Sequence, residues 1–156
     1  MSLASSPSGA VVIDANIPLA IVASEPGEPI ASAAITRYAG LNYEFFAPGA
    51  ILAETLYVLC GKLQDGHLTP TEHTQAIQDL DAFMQMVKSP VNGESALTLR
   101  AEALRAAYSC RRSADGIYVA LAEALSATRP TVLLTFDSDM AKQAANFAPT
   151  VRVDLL

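Results

Sequence analysis

Four carboxylates stand apart in this sequence because of where they fall. Asp14 closes the apolar run Ala-Val-Val-Ile-Asp, and Asp137 comes two residues after the run Thr-Val-Leu-Leu-Thr135. Each acid therefore lies at the carboxyl end of a predicted strand, the place where α/β sheets bind their ligands. Glu54 interrupts Ala-Ile-Leu-Ala-Glu-Thr-Leu-Tyr-Val-Leu-Cys, a segment so apolar that its helix is expected to be buried. A lone buried carboxylate is costly unless it is paired or bound to a metal. Asp115 opens Asp-Gly-Ile-Tyr-Val-Ala-Leu-Ala, a further apolar helix. Brought together, such acids form an all-oxygen donor set suited to Mg²⁺ or Mn²⁺. Each also has a plainer reading. Asp137 suits the cap of the helix after it, and Asp14 suits a turn. Glu54 suits an ion pair with one Arg or an exposed helix edge. An acid such as Asp115 in a first turn gains up to ~1 kcal/mol from the helix dipole alone.

The elements that must position these acids follow from the hydrophobic pattern. Strands are predicted over residues 10–14, 44–47, 87–91, 131–135 and 150–153. Helices are predicted to start at Asn16 and to cover residues 30–38, 49–63, 70–86, 95–108, 113–125 and 137–146. Thr69-Pro70 supplies a cap followed by Pro at the first helical position, and Asn16 supplies a cap residue with Pro18 in the first turn. Strands alternating with helices give an α/β fold, a three-layer α/β/α sandwich around a mostly parallel sheet. Residues 1–9, rich in Ser and Pro, read as a flexible tail, and residues 10–156 as one domain.

Composition narrows the function. Half of the 156 residues are hydrophobic, enough to fill one core. The net charge of −6 argues against a protein that coats nucleic acid, which would be basic. It leaves room for a protein whose acids are concentrated where cations neutralise them. The longest apolar run, residues 10–23, contains Asp14 and Pro18 and is short of the ~20 residues of a membrane span. No Lys or Arg opens a secretory signal, and two cysteines give no disulfide framework. The expectation is a cytoplasmic protein with reduced thiols.

The four acids, in order and spacing, resemble the PIN-domain family, and within it the VapC-type toxins of bacterial toxin–antitoxin pairs. The matching segments are Val-Val-Ile-Asp14-Ala-Asn16, Ala-Pro-Gly-Ala-Ile-Leu-Ala-Glu54, Ser-Ala-Asp115-Gly-Ile-Tyr-Val-Ala-Leu-Ala and Leu-Leu-Thr135-Phe-Asp137-Ser-Asp139. The resemblance implies a Mg²⁺- or Mn²⁺-dependent endoribonuclease, usually a homodimer, held in check by a small antitoxin. It carries Asp14, Glu54, Asp115 and Asp137 over as the acidic quartet and metal ligands. It places Thr135 where a hydroxyl orients a carboxylate, and Asn16 at a small polar position beside the first acid, where a capping role competes. Asp139 falls where some members carry an extra acid. A bound metal ion lowers the pKa of a water and steadies phosphate charge in the transition state.

Other residues and readings are weaker. His67 and His73 lack the i, i+4 spacing of a zinc protease helix and read as surface residues. No Gly-rich phosphate loop and no nucleophile elbow occurs. Arg111 and Arg112 suit either RNA phosphates or a solvated helix end. A haloacid-dehalogenase-like phosphotransferase also begins with a strand and an Asp, but it wants a second Asp where this chain has Asn16. The remaining alternatives are a PIN-like RNA-processing nuclease without a toxin role and a PIN-like module that only binds.

Overall fold

In the computed structural model, residues 5–106 and 113–156 are described. Five strands form one all-parallel sheet: β1 (Gly9–Ile13), β2 (Tyr43–Phe46), β3 (Val87–Lys88), β4 (Thr131–Thr135) and β5 (Arg152–Leu155), in the order β3-β2-β1-β4-β5. The helices are α1 (Asn16–Val22), α2 (Glu28–Gly40), α3 (Ala50–Gln64), α4 (Pro70–Met84), α5 (Thr98–Ala106), α6 (Ser113–Ser126) and α7 (Ser138–Phe147). This is the three-layer α/β/α architecture that the alternating pattern predicts.

Strands β1 and β4 are central because every residue in them is buried, as expected of parallel strands covered on both faces. Their register sets Val12 beside Leu133 and Ile13 beside Leu134. On one face, α6 packs on β1 and β4 with α7 and α5 beside it; α1 and α2 lie on the other. The main core joins Val11, Ile13, Phe46, Tyr118, Leu121 and Leu133. Each large side chain buried this way contributes about 1.5–3 kcal/mol against solvent exposure. A smaller cluster of Leu19, Val22, Leu59, Ala76 and Leu80 fastens α3 and α4 onto α1.

The sheet requires a glycine at the start of β1. A Cβ on Gly9 would stand 2.6 Å from the Tyr43 ring and 2.7 Å from the Pro130 carbonyl oxygen. At the turn from α2 to β2, Asn42 adopts φ +60°, a conformation Asn tolerates better than most residues. Its side-chain amide donates to the carbonyl of Ser6, at 3.0 Å.

Several expectations change. The tail gives way to β1 at Gly9, inside the segment read as loose. The helix expected over residues 95–108 is a 3₁₀ turn, Glu94–Leu97, followed by α5, and its predicted end at Tyr108 lies outside the described residues. Glu94 accepts the backbone N–H of Gly49, which ties this turn to the start of α3. Helix α3 is not buried all round: Leu52, Leu56 and Tyr57 are exposed at 46%, 40% and 81%. Its apolar sequence therefore marked a core face plus an open apolar face, and Glu54 is half-buried between them. Arg111, Arg112 and Cys110 lie outside the described residues, while Cys60 is free and exposed. Among the described residues no helix is long and apolar enough to cross a membrane.

Candidate acidic site at the sheet switch point

The chain runs from β1 outward to β2 and β3, then returns to lay β4 on the other side of β1. The gap between the carboxyl ends of β1 and β4 is thus the point where strand order reverses, the ligand crevice of open α/β sheets. Asp14 follows β1 at this point, and its backbone N–H donates to Leu134 O at 3.1 Å. Thr135 ends β4 and Asp137 follows it. A shallow crevice of about 200 Å³ lined by Asn16, Glu25, Gly27 and Phe136 opens alongside. A larger apolar cavity of about 420 Å³, bounded by Val91, Leu97, Leu125 and Arg129, lies towards the start of β4, away from these acids.

Asp14 is 5% exposed, and its side chain is fixed from two sides. Thr135 Oγ1 donates to Asp14 Oδ2 at 2.9 Å, and Asn16 Nδ2 reaches the same oxygen at 3.3 Å. Thr135, fully buried, in turn accepts the backbone N–H of Asp137 at 2.9 Å. Burial pushes the Asp14 carboxyl above its ordinary value; the Thr135 hydrogen bond opposes this, and the negative charge of Asp137 adds to it. Asn16 is the first residue of α1 and not its cap: Ala15 holds the cap position and makes no side-chain capping bond. The amide of Asn16 is turned instead to Asp14.

Asp137 does cap α7. Its Oδ1 accepts the backbone N–H of Asp139 at 2.8 Å and of Met140 at 3.3 Å. The plainer reading and the electrostatic coupling to Asp14 therefore hold together. Asp139, in the first turn of α7, forms a loose ion pair with Lys142 at 3.8 Å. Glu54 projects from α3, and burial followed by the charge of Asp14 raises its pKa. Asp115 lies in the first turn of α6 with its Oδ2 shielded from solvent. The sequence reading gave no role to Tyr118. It is fully buried, its hydroxyl donates to Glu54 Oε1 at 3.3 Å, and it feels the charges of Glu54, Asp14 and Asp115. The available signal was its place three residues after Asp115, on the same helical face.

Asp14 is thus electrostatically coupled to Asp137 and Glu54, and Asp115 to Tyr118. Among the described residues, no three His, Cys, Asp or Glu side chains form a ready-made metal cage. Nor does any Lys or Arg among them form a salt bridge with Asp14 or Glu54. A buried carboxylate raised by desolvation and by a neighbouring like charge, with no basic side chain against it among the described residues, is a donor that a hard divalent cation fits. Mg²⁺ keeps several waters and takes one or two carboxylates directly, so a closed cage is not needed.

An all-parallel α/β/α domain with acids at its switch point defines a class of metal-compatible α/β proteins. The model of the PIN domain matches residues 11–146, and the chain belongs to the PIN-domain family. It is similar in structure to a chain of the VapBC2 complex from Rickettsia felis bound to a DNA fragment from their promoter. That match has a TM-score of 0.63 and 16% identity, and it covers 94% of this chain and 98% of the other. Among curated proteins, none matches the sequence.

Proposed function

We propose that this chain is a Mg²⁺- or Mn²⁺-dependent endoribonuclease, the toxin of a toxin–antitoxin pair. The observation that carries the proposal is Asp14: a buried carboxylate at the β1–β4 switch point, within the fields of Asp137 and Glu54, with no basic side chain bound to it among the described residues. Membership of the PIN-domain family, whose members are generally metal-dependent nucleases, supports the same reading. So does the structural likeness to a toxin–antitoxin complex.

Asp14, Asp115 and Asp137, with Glu54, would hold the ion. When bound, it lowers the pKa of a water near the phosphodiester and neutralises charge that develops on the phosphate. Thr135 and Asn16 fix the Asp14 carboxylate by donating to its Oδ2. Asp137 is held by the α7 N–H groups that it caps, so its direction is set by backbone rather than by a free rotamer. Pre-set ligands of this kind lose little entropy when the ion binds.

The test is cleavage of an unstructured labelled RNA by the purified chain. Cleavage should require Mn²⁺ or Mg²⁺, stop in EDTA and be lost in Asp14→Asn. Metal-independent cleavage, or full activity in that variant, refutes the assignment. Binding of RNA without cleavage in either metal favours a module that only binds. The toxin role is tested separately by expression in bacteria. Growth arrest relieved by co-expression of the neighbouring small reading frame supports it, and cleavage without arrest favours an RNA-processing nuclease. The antitoxin should insert an Arg near the acids, since guanidinium pairs with carboxylate in bidentate fashion. A cognate pair that keeps full nuclease activity refutes that mode of inhibition.

A further inference from the structure

We infer that Tyr118 is a positioning residue of the acidic site, its buried hydroxyl fixing the Glu54 carboxylate beside Asp14. The inference rests on the metal-site reading above. Three observations carry it. Tyr118 lies wholly inside the main core, where its ring packs as any large apolar group does. Its one polar atom is placed against Glu54 Oε1, at 3.3 Å. The charges it feels come from Glu54 on α3, Asp14 after β1 and Asp115 on α6, three separate elements.

A buried hydroxyl is costly without a partner, and a phenyl ring fills nearly the same space without that cost. The hydroxyl is therefore explained by what it binds. Glu54 needs such a partner. It is half-buried, and α3 is fastened to α1 and α4, with its outer face open to solvent. A glutamate there has several rotatable bonds, and among the described residues no Lys or Arg forms a salt bridge with it. Tyr118 stands on α6, which packs directly on β1 and β4 and so is fixed relative to Asp14. One hydrogen bond thus transfers the rigidity of the sheet to an acid on a peripheral helix. Partners behind a metal ligand act in this way, and losing one typically weakens metal binding by roughly 10- to 100-fold.

The test uses the purified full chain and Mn²⁺ alone as calorimetric probe. Tyr118→Phe should bind Mn²⁺ about 10-fold more weakly than wild type. In RNA cleavage its kcat should fall while KM for RNA moves less than about twofold, because the residue acts on the site and not on substrate contacts. Glu54→Asp keeps the charge but draws it away from the hydroxyl, and should reproduce the same loss without touching the core. In a Glu54→Ala background, Tyr118→Phe should weaken Mn²⁺ binding no further. Wild-type affinity in Tyr118→Phe overturns the inference, as does an equal loss in the Glu54→Ala background, which marks a merely structural effect. A wild-type chain that binds no Mn²⁺ overturns the metal-site reading together with it. Wild-type binding with an indistinguishable Tyr118→Phe overturns the positioning role alone.

Discussion

The hydroxyl of Thr135 joins two acids that lie on opposite sides of the strand junction: it donates to Asp14 Oδ2 and accepts the N–H of Asp137, each at 2.9 Å. Thr135→Val preserves the shape of the side chain and removes both bonds. Leaving the Asp137 N–H and an Asp14 oxygen without this partner should cost about 1–3 kcal/mol in a urea melt in EDTA. Mn²⁺ affinity should fall in the same variant. Wild-type stability and wild-type affinity in Thr135→Val would show that the hydroxyl does not orient the site.

The acids predict a pH dependence of the metal-free protein. Asp14 and Glu54 are both raised above their ordinary values of 3.8 and 4.5, in each case first by burial. A folded-state pKa above the unfolded one means that the folded chain holds the proton more tightly. Their contribution to stability therefore falls as pH rises from those ordinary values through the raised ones, and it is recovered on acidification over the same window. In EDTA, Asp14→Asn should melt above wild type at pH 7 and show a flatter fall across that window. In Mn²⁺ the order should reverse. An Asn variant that melts lower at every pH in EDTA contradicts the account.

A third prediction concerns the start of β1. Gly9→Ala places a methyl group against the Tyr43 ring and the Pro130 carbonyl. The carbonyl is backbone and cannot swing aside, so the variant should lose about 1–3 kcal/mol. Unchanged chemical denaturation would mean that β1 and the residues before β4 separate more easily than their hydrogen bond from Ala10 N–H to Pro130 O suggests.

Helix α4 offers a control for stability without chemistry. Thr69 accepts the N–H of Glu72 at 3.2 Å, and Glu72 accepts the N–H of Thr69 at 2.7 Å. Thr69→Ala should cost about 1 kcal/mol and leave RNA cleavage per folded molecule unchanged. A large loss of cleavage at a temperature where the variant is folded would bring α4 into the functional site.

The open apolar face of α3 bears on assembly. Leu52 and Leu56 are four apart and share a helical face with Tyr57 at its border. For the homodimer that the family resemblance implies, light scattering at micromolar protein should give about twice the 16.4 kDa chain mass, and Leu56→Lys should reduce it to one. A wild-type monomer refutes the dimer, and a dimer unaffected by Leu56→Lys places it elsewhere.

The sequence assigned the acids to their elements more readily than it ordered those elements in space. Asp14 and Asp137 were legible because each follows a run of buried strand residues, and a parallel strand buried on both faces has no alternation to obscure its end. The Thr69 cap was legible because its partner, Glu72, lies within the same turn. Strand order was not legible, since nothing in the local pattern of β4 says that it returns to β1 and not to β3. The exposure of α3 was misread for a similar reason: hydrophobic residues inside and outside a helix look alike in one dimension. Tyr118 escaped notice because its ring satisfies the core pattern, and only the end of its hydroxyl reveals a second role.

The bond from Thr135 to Asp14 closes a loop of 121 residues. Until β4 has been synthesised and seated, β1 is an edge strand, and the crevice lacks Thr135 and Asp137 altogether. A contact this distant along the chain forms late, after nearer ones. A growing polypeptide that has not yet reached Thr131 therefore carries Asp14 and Glu54 but no complete acidic site, and a chain broken off before Thr131 never acquires one. Under the ribonuclease reading, an unfinished chain cannot cut the message that is being translated into it. For that interval Val11, Val12 and Ile13 lie along an unpaired edge, which makes aggregation of incomplete chains the hazard that accompanies this protection.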